Sequence, residues 1–335
     1  GQRLPDTRIQ VTRESAAWAI GVAGSRAQGR IEIPHQQPEG RLRLRGDFQR
    51  LNWTREVNLR GGDQIDPNEI PHLNLEVEDF ALNDVALGRM QLDLEPVGRG
   101  TRITRFIVDS PKRRELDVSG LWLRDDTGTS GAVEFAMDTE AFASWLTVFG
   151  YEDHLVARRG RLNGQLNWSP DPQGLSVGNA SGRLDFDFSD GQLLNIEPGA
   201  GRVLGLFSIN ALPRRFFLDF SDVVNTGLSF DELSGGFDIS GGVATTQNLQ
   251  LKGTSVRVAV RGDVDLVQRR YDQVVTIYPG VSSGVSLAAT VLGGPVVGLF
   301  TLLAQELLDQ PLDQVTQIGY HLGGSWDNPQ VSRLQ

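Results

Sequence analysis

The feature that most constrains this chain is a strict alternation of apolar and polar residues in many short runs. Leu184-Asp185-Phe186-Asp187-Phe188 is the clearest example. Successive side chains of a β-strand point to opposite faces of its sheet, so a period of two predicts strands with one apolar and one solvated face. Further runs of this kind are Leu73–Val77, Gln91–Glu95, Val133–Met137 and Val256–Val260.

Frequent turn signals divide the chain between these runs, such as Pro38-Glu39-Gly40, Gly61-Gly62-Asp63 and Asp126-Thr127-Gly128. No long helical pattern separates the strands, which argues against βαβ units. The sequence therefore predicts a mainly β fold, a long curled antiparallel sheet of about twenty strands that forms an open apolar groove. We divide it into a groove segment at 1–137 and a second one at 138–335.

Short helices are predicted near 139–149, 198–210 and 285–308, all in the second segment. Apolar residues recur at three- and four-residue spacing in Thr139–Phe149, where Asp138 or Thr139 can cap the helix. Pro198 suits the first turn of the next helix. All three helices together are too few to cover a sheet of this size.

The segment Val285–Ala304 contains 20 consecutive residues without a charge, which matches the length of a membrane-spanning helix. Gly293-Gly294-Pro295 in its middle should break or kink such a helix, and strands flank it on both sides. A broken helix pair that dips into a membrane and a helix buried in a protein core both remain open. The candidate membrane-contacting residues are Val291, Leu292, Val296, Val297, Leu299, Phe300, Leu302 and Leu303.

Composition excludes several classes of function. The net charge of −10 disfavours nucleic acid as a partner, and the lack of cysteine rules out disulfides and thiolate metal sites. The four histidines share no ligand spacing, so no metal is expected. Nucleophile elbows, phosphate loops and dinucleotide turns are missing, and neither a catalytic residue nor a cofactor is predicted. Since the chain starts Gly1-Gln2-Arg3, we expect a piece of a longer protein.

The apolar face must be covered by a second sheet, by closure into a barrel, or by a ligand. Lipid is a suitable ligand, because moving one methylene from hydrocarbon into water costs about 0.8 kcal/mol. A continuous apolar groove would keep acyl chains out of water without a tight site. Its candidate lining residues are Leu73, Leu75, Val77, Leu92, Leu94, Val133, Phe135, Met137, Leu184, Phe186, Phe188, Phe216, Leu218, Phe220, Val256, Val258 and Val260.

Gly191–Leu206, Ala211–Arg215 and Leu218–Asp222 resemble the C-terminal region of the AsmA-like family, and within it the very large YhdP proteins of Gram-negative envelopes. The closing Gly324–Pro329 resembles the family's ending, and the likeness is strongest over 131–331. The resemblance implies a periplasmic bridge, anchored in the inner membrane outside this chain, that conducts phospholipid to the outer membrane. It also implies that the C-terminal helices contact the inner leaflet of the outer membrane.

Two alternatives to a lipid-conducting groove stay open. One is a structural β-sandwich module that tethers other envelope proteins and has a dry, packed interior. The other is a glycan- or lipid-modifying enzyme, which the missing catalytic motifs disfavour.

Overall fold

The structure is a computed structural model, and it describes residues 6–37, 42–54, 65–111, 113–149, 155–193, 228–253, 256–279 and 317–334. Within these ranges the chain forms one sheet of 17 strands and one α-helix. The predicted mainly β fold in a single long sheet is confirmed. The helices predicted near 198–210 and 285–308, and the run that contains Phe216, Leu218 and Phe220, lie outside the described residues.

The first nine strands each pair with the strand that follows in sequence. Alternating apolar residues account for most of them, as in Leu73–Val77 of β5 and Val133–Met137 of β9. Their bounds are β1 Arg8–Arg13, β2 Ala17–Ala23, β3 Ala27–Pro34, β4 Arg43–Trp53, β5 His72–Leu82, β6 Val85–Val97, β7 Gly100–Asp109, β8 Arg114–Asp125 and β9 Gly128–Thr139.

The remaining strands continue the sheet, with β9 paired to β10 and antiparallel ladders from β12 to β17. The long β10 and β11 are joined by a turn in which Asn179 accepts hydrogen bonds from the backbone and hydroxyl of Ser176. Their bounds are β10 Leu155–Asp171, β11 Ala180–Leu193, β12 Leu228–Ser240, β13 Val243–Lys252, β14 Val256–Asp265, β15 Arg270–Pro279, β16 Ile318–Ser325 and β17 Asn328–Arg333.

One ladder departs from the predicted antiparallel sheet. Strands β4 and β5 pair in parallel, with Leu44 opposite Leu73 and Phe48 opposite Val77. A parallel pair cannot be joined by a tight turn, and residues 54–71 separate these two strands in the sequence. The sheet is therefore mixed.

The helix predicted near 139–149 is α1, Phe142–Phe149. It begins later than predicted because Thr139 is the last residue of β9. The Thr139 hydroxyl oxygen accepts a hydrogen bond from the Ala141 backbone amide at 2.9 Å, so this residue precedes the helix and caps its entry. Phe142 and Trp145 are buried, as the apolar stripe predicted.

The chain divides into two compact units. Unit 1 comprises residues 1–149 and 161–182, and unit 2 comprises residues 150–160 and 183–335. Strands β10 and β11 contribute to both.

Candidate functional site

The apolar face of unit 1 contains a row of side chains that runs without a polar interruption across nine strands. Strand pairing places each member of this central row directly opposite the next, from Val11 in β1 to Phe135 in β9. Opposite residues share a face of the sheet, so these positions adjoin one another, and each has an apolar side chain except the glycine of β4. The central row is Val11, Ile20, Ile31, Gly46, Leu75, Leu92, Phe106, Val118 and Phe135.

The central row is only partly shielded from solvent. Val11 is 59% exposed, and most of the other members, including Leu75, Leu92 and Phe106, are half-buried. A contiguous apolar surface of this kind is unusual on a soluble protein and marks a surface that binds something. The row therefore has room for an apolar ligand.

The opposite face of unit 1 is mostly polar and charged, although Ile107 of β7 is buried there opposite Gln91. Arg89 lies 3.5 Å from Glu76 across the β5–β6 ladder, and Arg105 lies 3.6 Å from Asp93 across the β6–β7 ladder. Asn74 also donates a side-chain hydrogen bond to Asp93. These side chains alternate with the apolar ones, so unit 1 has one face for water and one for an apolar partner.

All eight lining residues predicted in unit 1 lie on this apolar face. Leu75, Leu92 and Phe135 belong to the central row, and the other five lie in the two rows beside it. One flanking row contains Leu73, Leu94 and Val133, and the other contains Val77, Met90, Val108, Leu116 and Met137.

The row that contains Val77 and Val108 is buried, with exposures of 1% and 0%. Helix α1 contacts β6, and a buried carboxylate connects the helix to the sheet. Glu115 of β8 accepts hydrogen bonds from the Thr139 hydroxyl at 3.1 Å and from the Trp145 indole N–H at 3.2 Å. Unit 1 therefore combines a covered margin with an open central row.

The apolar face of unit 2 is buried over most of strands β12 to β16, although Ile277 of β15 is half-buried. Leu249 lies opposite Val260, and Val260 lies opposite Val275, which is 0% exposed. Leu233 and Leu251 form a neighbouring pair across β12 and β13. The structure thus places most of unit 2's described aliphatic side chains in a continuous and largely shielded surface.

The lining residues predicted in unit 2 fall partly on this buried surface. Val258 and Val260 lie opposite Leu251 and Leu249, and Phe186 and Phe188 of β11 are buried. The Phe186 ring stacks on Phe188 at 5.3 Å and on Phe237 at 6.1 Å between centroids. Leu184 is half-buried, and Val256 lies in β14 opposite Pro279.

Two polar side chains interrupt the buried surface of unit 2. Thr246 of β13 and Gln273 of β15 both lie opposite Gly262 of β14, one on each side, and each is 1% exposed. The Thr246 hydroxyl and both side-chain amide atoms of Gln273 have no hydrogen-bond partner. Buried polar groups in proteins are normally paired, so this pair is unusual.

Aromatic and charged residues lie at one edge of the same surface, beside the β14–β15 turn. The Tyr271 and Trp326 rings stack at 6.2 Å, and the Arg269 guanidinium lies 5.3 Å from the Trp326 ring centroid. Arg269 also lies 3.6 Å from Asp327. Burial raises the pKa of Tyr271 to about 12, against the opposing effect of the Arg269 charge.

Several residues of these surfaces are missing from the sequence-based set, for different reasons. Leu44 and Phe48 of β4 alternate around Gly46 and could have been found. Phe106 and Val108 of β7 follow a register shift after Ile103, so their strand does not alternate regularly. The polar Gln273 has no sequence signal, because its neighbours do not show which face it occupies.

The described residues contain no cluster of three or more acidic, histidine or cysteine side chains suited to a metal ion. Over the same part of the chain, no helix is both long and apolar enough to cross a bilayer. The candidate membrane-contacting residues from Val291 to Leu303 lie outside the described ranges.

A family model described as "YhdP protein" matches residues 1–331. The chain belongs to the YhdP protein family. It is also 25% identical over 248 residues to the intermembrane phospholipid transporter YhdP of Escherichia coli (strain K12), a match that covers 74% of this chain and 20% of that protein. The chain therefore spans about a fifth of that YhdP relative. No solved structure matches it.

Proposed function

We propose that this chain is a segment of a bridge-like lipid transfer protein, whose apolar surface conducts phospholipid acyl chains between the inner and outer membranes of a Gram-negative envelope. The central row of unit 1 is the observation that carries this proposal. Its members join across nine strands, are partly open to solvent and lie opposite a charged face. Acyl chains would occupy this row while polar headgroups stay in water.

The YhdP relationship supports the same function, because the E. coli relative is named as an intermembrane phospholipid transporter. By extension we propose a periplasmic location and an anchor in the inner membrane that lies outside this chain. The candidate residues from Val291 to Leu303 would contact the inner leaflet of the outer membrane. No step of this function is catalytic.

Conduction through a groove needs weak and nearly equivalent contacts rather than one tight site. Each buried methylene contributes about 0.8 kcal/mol, so an acyl chain held along the row is stable out of water. Because neighbouring positions are alike, a chain can move along the row without losing most of that free energy. Many residues then contribute modestly to transport.

Neighbouring residues of β6 provide a matched test. Leu92 belongs to the central row, whereas Gln91 lies opposite Glu76 and Ile107 on the other face. A photo-crosslinking amino acid at Leu92 should form phospholipid adducts in irradiated Gram-negative cells, detected by mass spectrometry, and the same residue at Gln91 should not. Equal labelling at both positions, or none at Leu92, would contradict the proposal.

Charge placement extends this test to transport. Leu92→Asp puts a carboxylate where an acyl chain would pass, so phospholipid delivery to the outer membrane should fall strongly. Gln91→Asp adds the same charge on the other face, away from the central row, and should leave delivery near the wild-type rate. If both variants transport lipid normally, the row is not the path.

A structural tether is a second candidate, and the buried surface of unit 2 favours it. Phe237, Leu233 and Val264 are all 0% exposed, as in a packed protein interior. A photo-crosslinking residue at Leu184, Phe186 or Phe188 distinguishes the two functions. Lipid adducts there indicate conduction through unit 2, and adducts to protein alone indicate a tether.

A further inference from the structure

The unpaired polar side chains in unit 2 lie on both sides of a gap in the apolar surface. Thr246 and Gln273 lie opposite Gly262 from either side, and Gly262 has no side chain to fill the space between them. A side chain cannot be added there easily. Gly262 has a φ of +122°, and a Cβ atom would lie 2.4 Å from the carbonyl oxygen of Asp272.

The hydrogen-bonding capacity at this gap is unused. One hydroxyl and one primary amide are 1% exposed and have no partner, although leaving such groups unpaired costs free energy. A dry, packed core would favour apolar side chains at both positions. A ligand group that enters the gap and forms these hydrogen bonds accounts for their presence.

Along β15, the side chains on the two sides of the gap differ in chemical type. Toward the β14–β15 turn lie the Arg269 guanidinium and the stacked rings of Tyr271 and Trp326. In the other direction lie aliphatic side chains, beginning with Val260 and Val275. Along β15 the surface therefore passes from cationic and aromatic, through a neutral hydrogen-bonding group, to hydrocarbon, whereas Ala244 and Val264 beside Tyr271 are aliphatic.

A diacyl glycerophospholipid has the same order of chemistry. Its anionic headgroup is followed by uncharged ester linkages and then by acyl chains. The Thr246 hydroxyl and the Gln273 amide N–H can donate to an ester carbonyl oxygen, which accepts hydrogen bonds and carries no formal charge. The anionic phosphate is better suited to the guanidinium at the edge of the surface.

We propose that Thr246 and Gln273 bind the ester carbonyl of a glycerophospholipid in the gap over Gly262. This inference rests on the proposed lipid-conducting function and refines it. It makes the gap a place where a lipid pauses in a defined orientation, with its acyl chain displacing what covers Val260 and Val275, which are 2% and 0% exposed. The other buried unpaired groups described on this surface, the Trp326 indole N–H and the Arg269 Nε–H, lie at its edge beside the β14–β15 turn.

The test uses a pair of lipids that differ only at the linkage. The full chain is loaded from vesicles that contain equal amounts of dioleoyl phosphatidylglycerol and its dialkyl ether analogue, which lacks the carbonyl oxygens. A diazirine-bearing aliphatic residue at Val275 then labels lipid next to the gap, and mass spectrometry gives the ester-to-ether ratio of the adducts. One or two neutral hydrogen bonds predict a ratio of about 5 to 30.

The double variant Thr246→Val, Gln273→Leu should lower that ratio to about 1. It removes unpaired buried groups and is expected to fold, and Gln273→Met alone should lower the ratio in the same direction. The matched control is Thr245→Val, Gln250→Leu, which makes the same changes on the solvated face of β13. This control should keep the wild-type ratio.

The outcomes separate the two proposals. Lipid adducts at Leu92 combined with a ratio near 1 at Val275, or with no adducts there, overturn the ester site and leave lipid conduction standing. A wild-type ratio that persists in both Gln273 variants also overturns the ester site. Absence of lipid adducts at Leu92 and at Val275 overturns both proposals.

Discussion

Units 1 and 2 are both built from strands in which apolar and polar residues alternate, but their apolar faces differ in exposure to solvent. In unit 1, Leu75 and Leu92 of the central row are half-buried, whereas in unit 2 Leu249 and Val275 are fully buried. In the sequences of both units, apolar and polar residues alternate with a period of two. Alternation therefore determines which side chains share a face, and the surroundings of that face determine whether it is open.

This difference in burial matches the different functions that we propose for the two surfaces. An open row such as that of unit 1 suits the continuous passage of hydrocarbon, because no polar group interrupts it across nine strands. The buried surface of unit 2 contains two unpaired polar side chains, Thr246 and Gln273. Movement is thus expected along the first surface and recognition at the second.

Removing a buried aromatic ring should have the greatest effect on stability, and it tests whether the apolar face of unit 2 is more buried than that of unit 1. Phe237→Ala removes a ring that is 0% exposed and should lower the free energy of unfolding of unit 2 by about 3–5 kcal/mol. Phe106→Ala removes a half-buried ring from unit 1 and should cost about 1 kcal/mol. Native-state hydrogen exchange of β12 and β7 measures the two losses separately, and equal losses would contradict the comparison.

A smaller loss of stability is expected in unit 2 at alkaline pH, and it tests the burial of Tyr271. Tyr271 has a pKa of about 12 in the folded chain against an ordinary value of 10.0, because burial disfavours the phenolate. Its contribution to stability is therefore complete below pH 10 and is lost as the pH rises toward 12. The total loss is about 3 kcal/mol, since each pKa unit corresponds to about 1.4 kcal/mol.

Unfolding experiments with denaturant at fixed pH values between 9 and 12 would measure this dependence. Tyr271→Phe lacks the ionisable hydroxyl and should lose less stability over the same range. If the two proteins show identical pH dependence, Tyr271 is not held neutral by its surroundings.

The third effect concerns the covered margin of unit 1. Glu115→Ala removes the acceptor for the Thr139 hydroxyl and the Trp145 indole, so α1 should become easier to open by about 1–3 kcal/mol. Hydrogen exchange of residues 142–149 measures that opening. Glu134→Ala, at an exposed position in β9, is the control and should change little. Unchanged exchange in the Glu115 variant would mean that α1 is held by apolar packing alone.

The sequence predicted the sheet and the face of most lining residues, because side-chain period follows from strand geometry alone. It did not predict the parallel ladder of β4 and β5, since Gly61-Gly62-Asp63 suggested an ordinary turn between them. It also placed the start of α1 too early, because Thr139 can end a strand as well as cap a helix.

Other features depend on surroundings that one sequence does not show. The openness of the central row and the burial of Val275 depend on what covers each face, although both strands have similar local patterns. The Thr246–Gln273 pair depends on the register of three strands, which brings together residues far apart in the chain. Ladder register, rather than composition, was the missing information.

The parallel ladder between β4 and β5 has a consequence for how the protein folds. Strands β1–β4 and β5–β9 form two series whose antiparallel ladders join strands adjacent in sequence, so each series can form through local contacts. The ladder that joins them must bring together strands separated by residues 54–71, which adds an entropic cost. We therefore expect it to form after the hairpins on either side. Gly46 and Leu75 become neighbours only then, so the last pairing to form is also the one that makes the central row continuous.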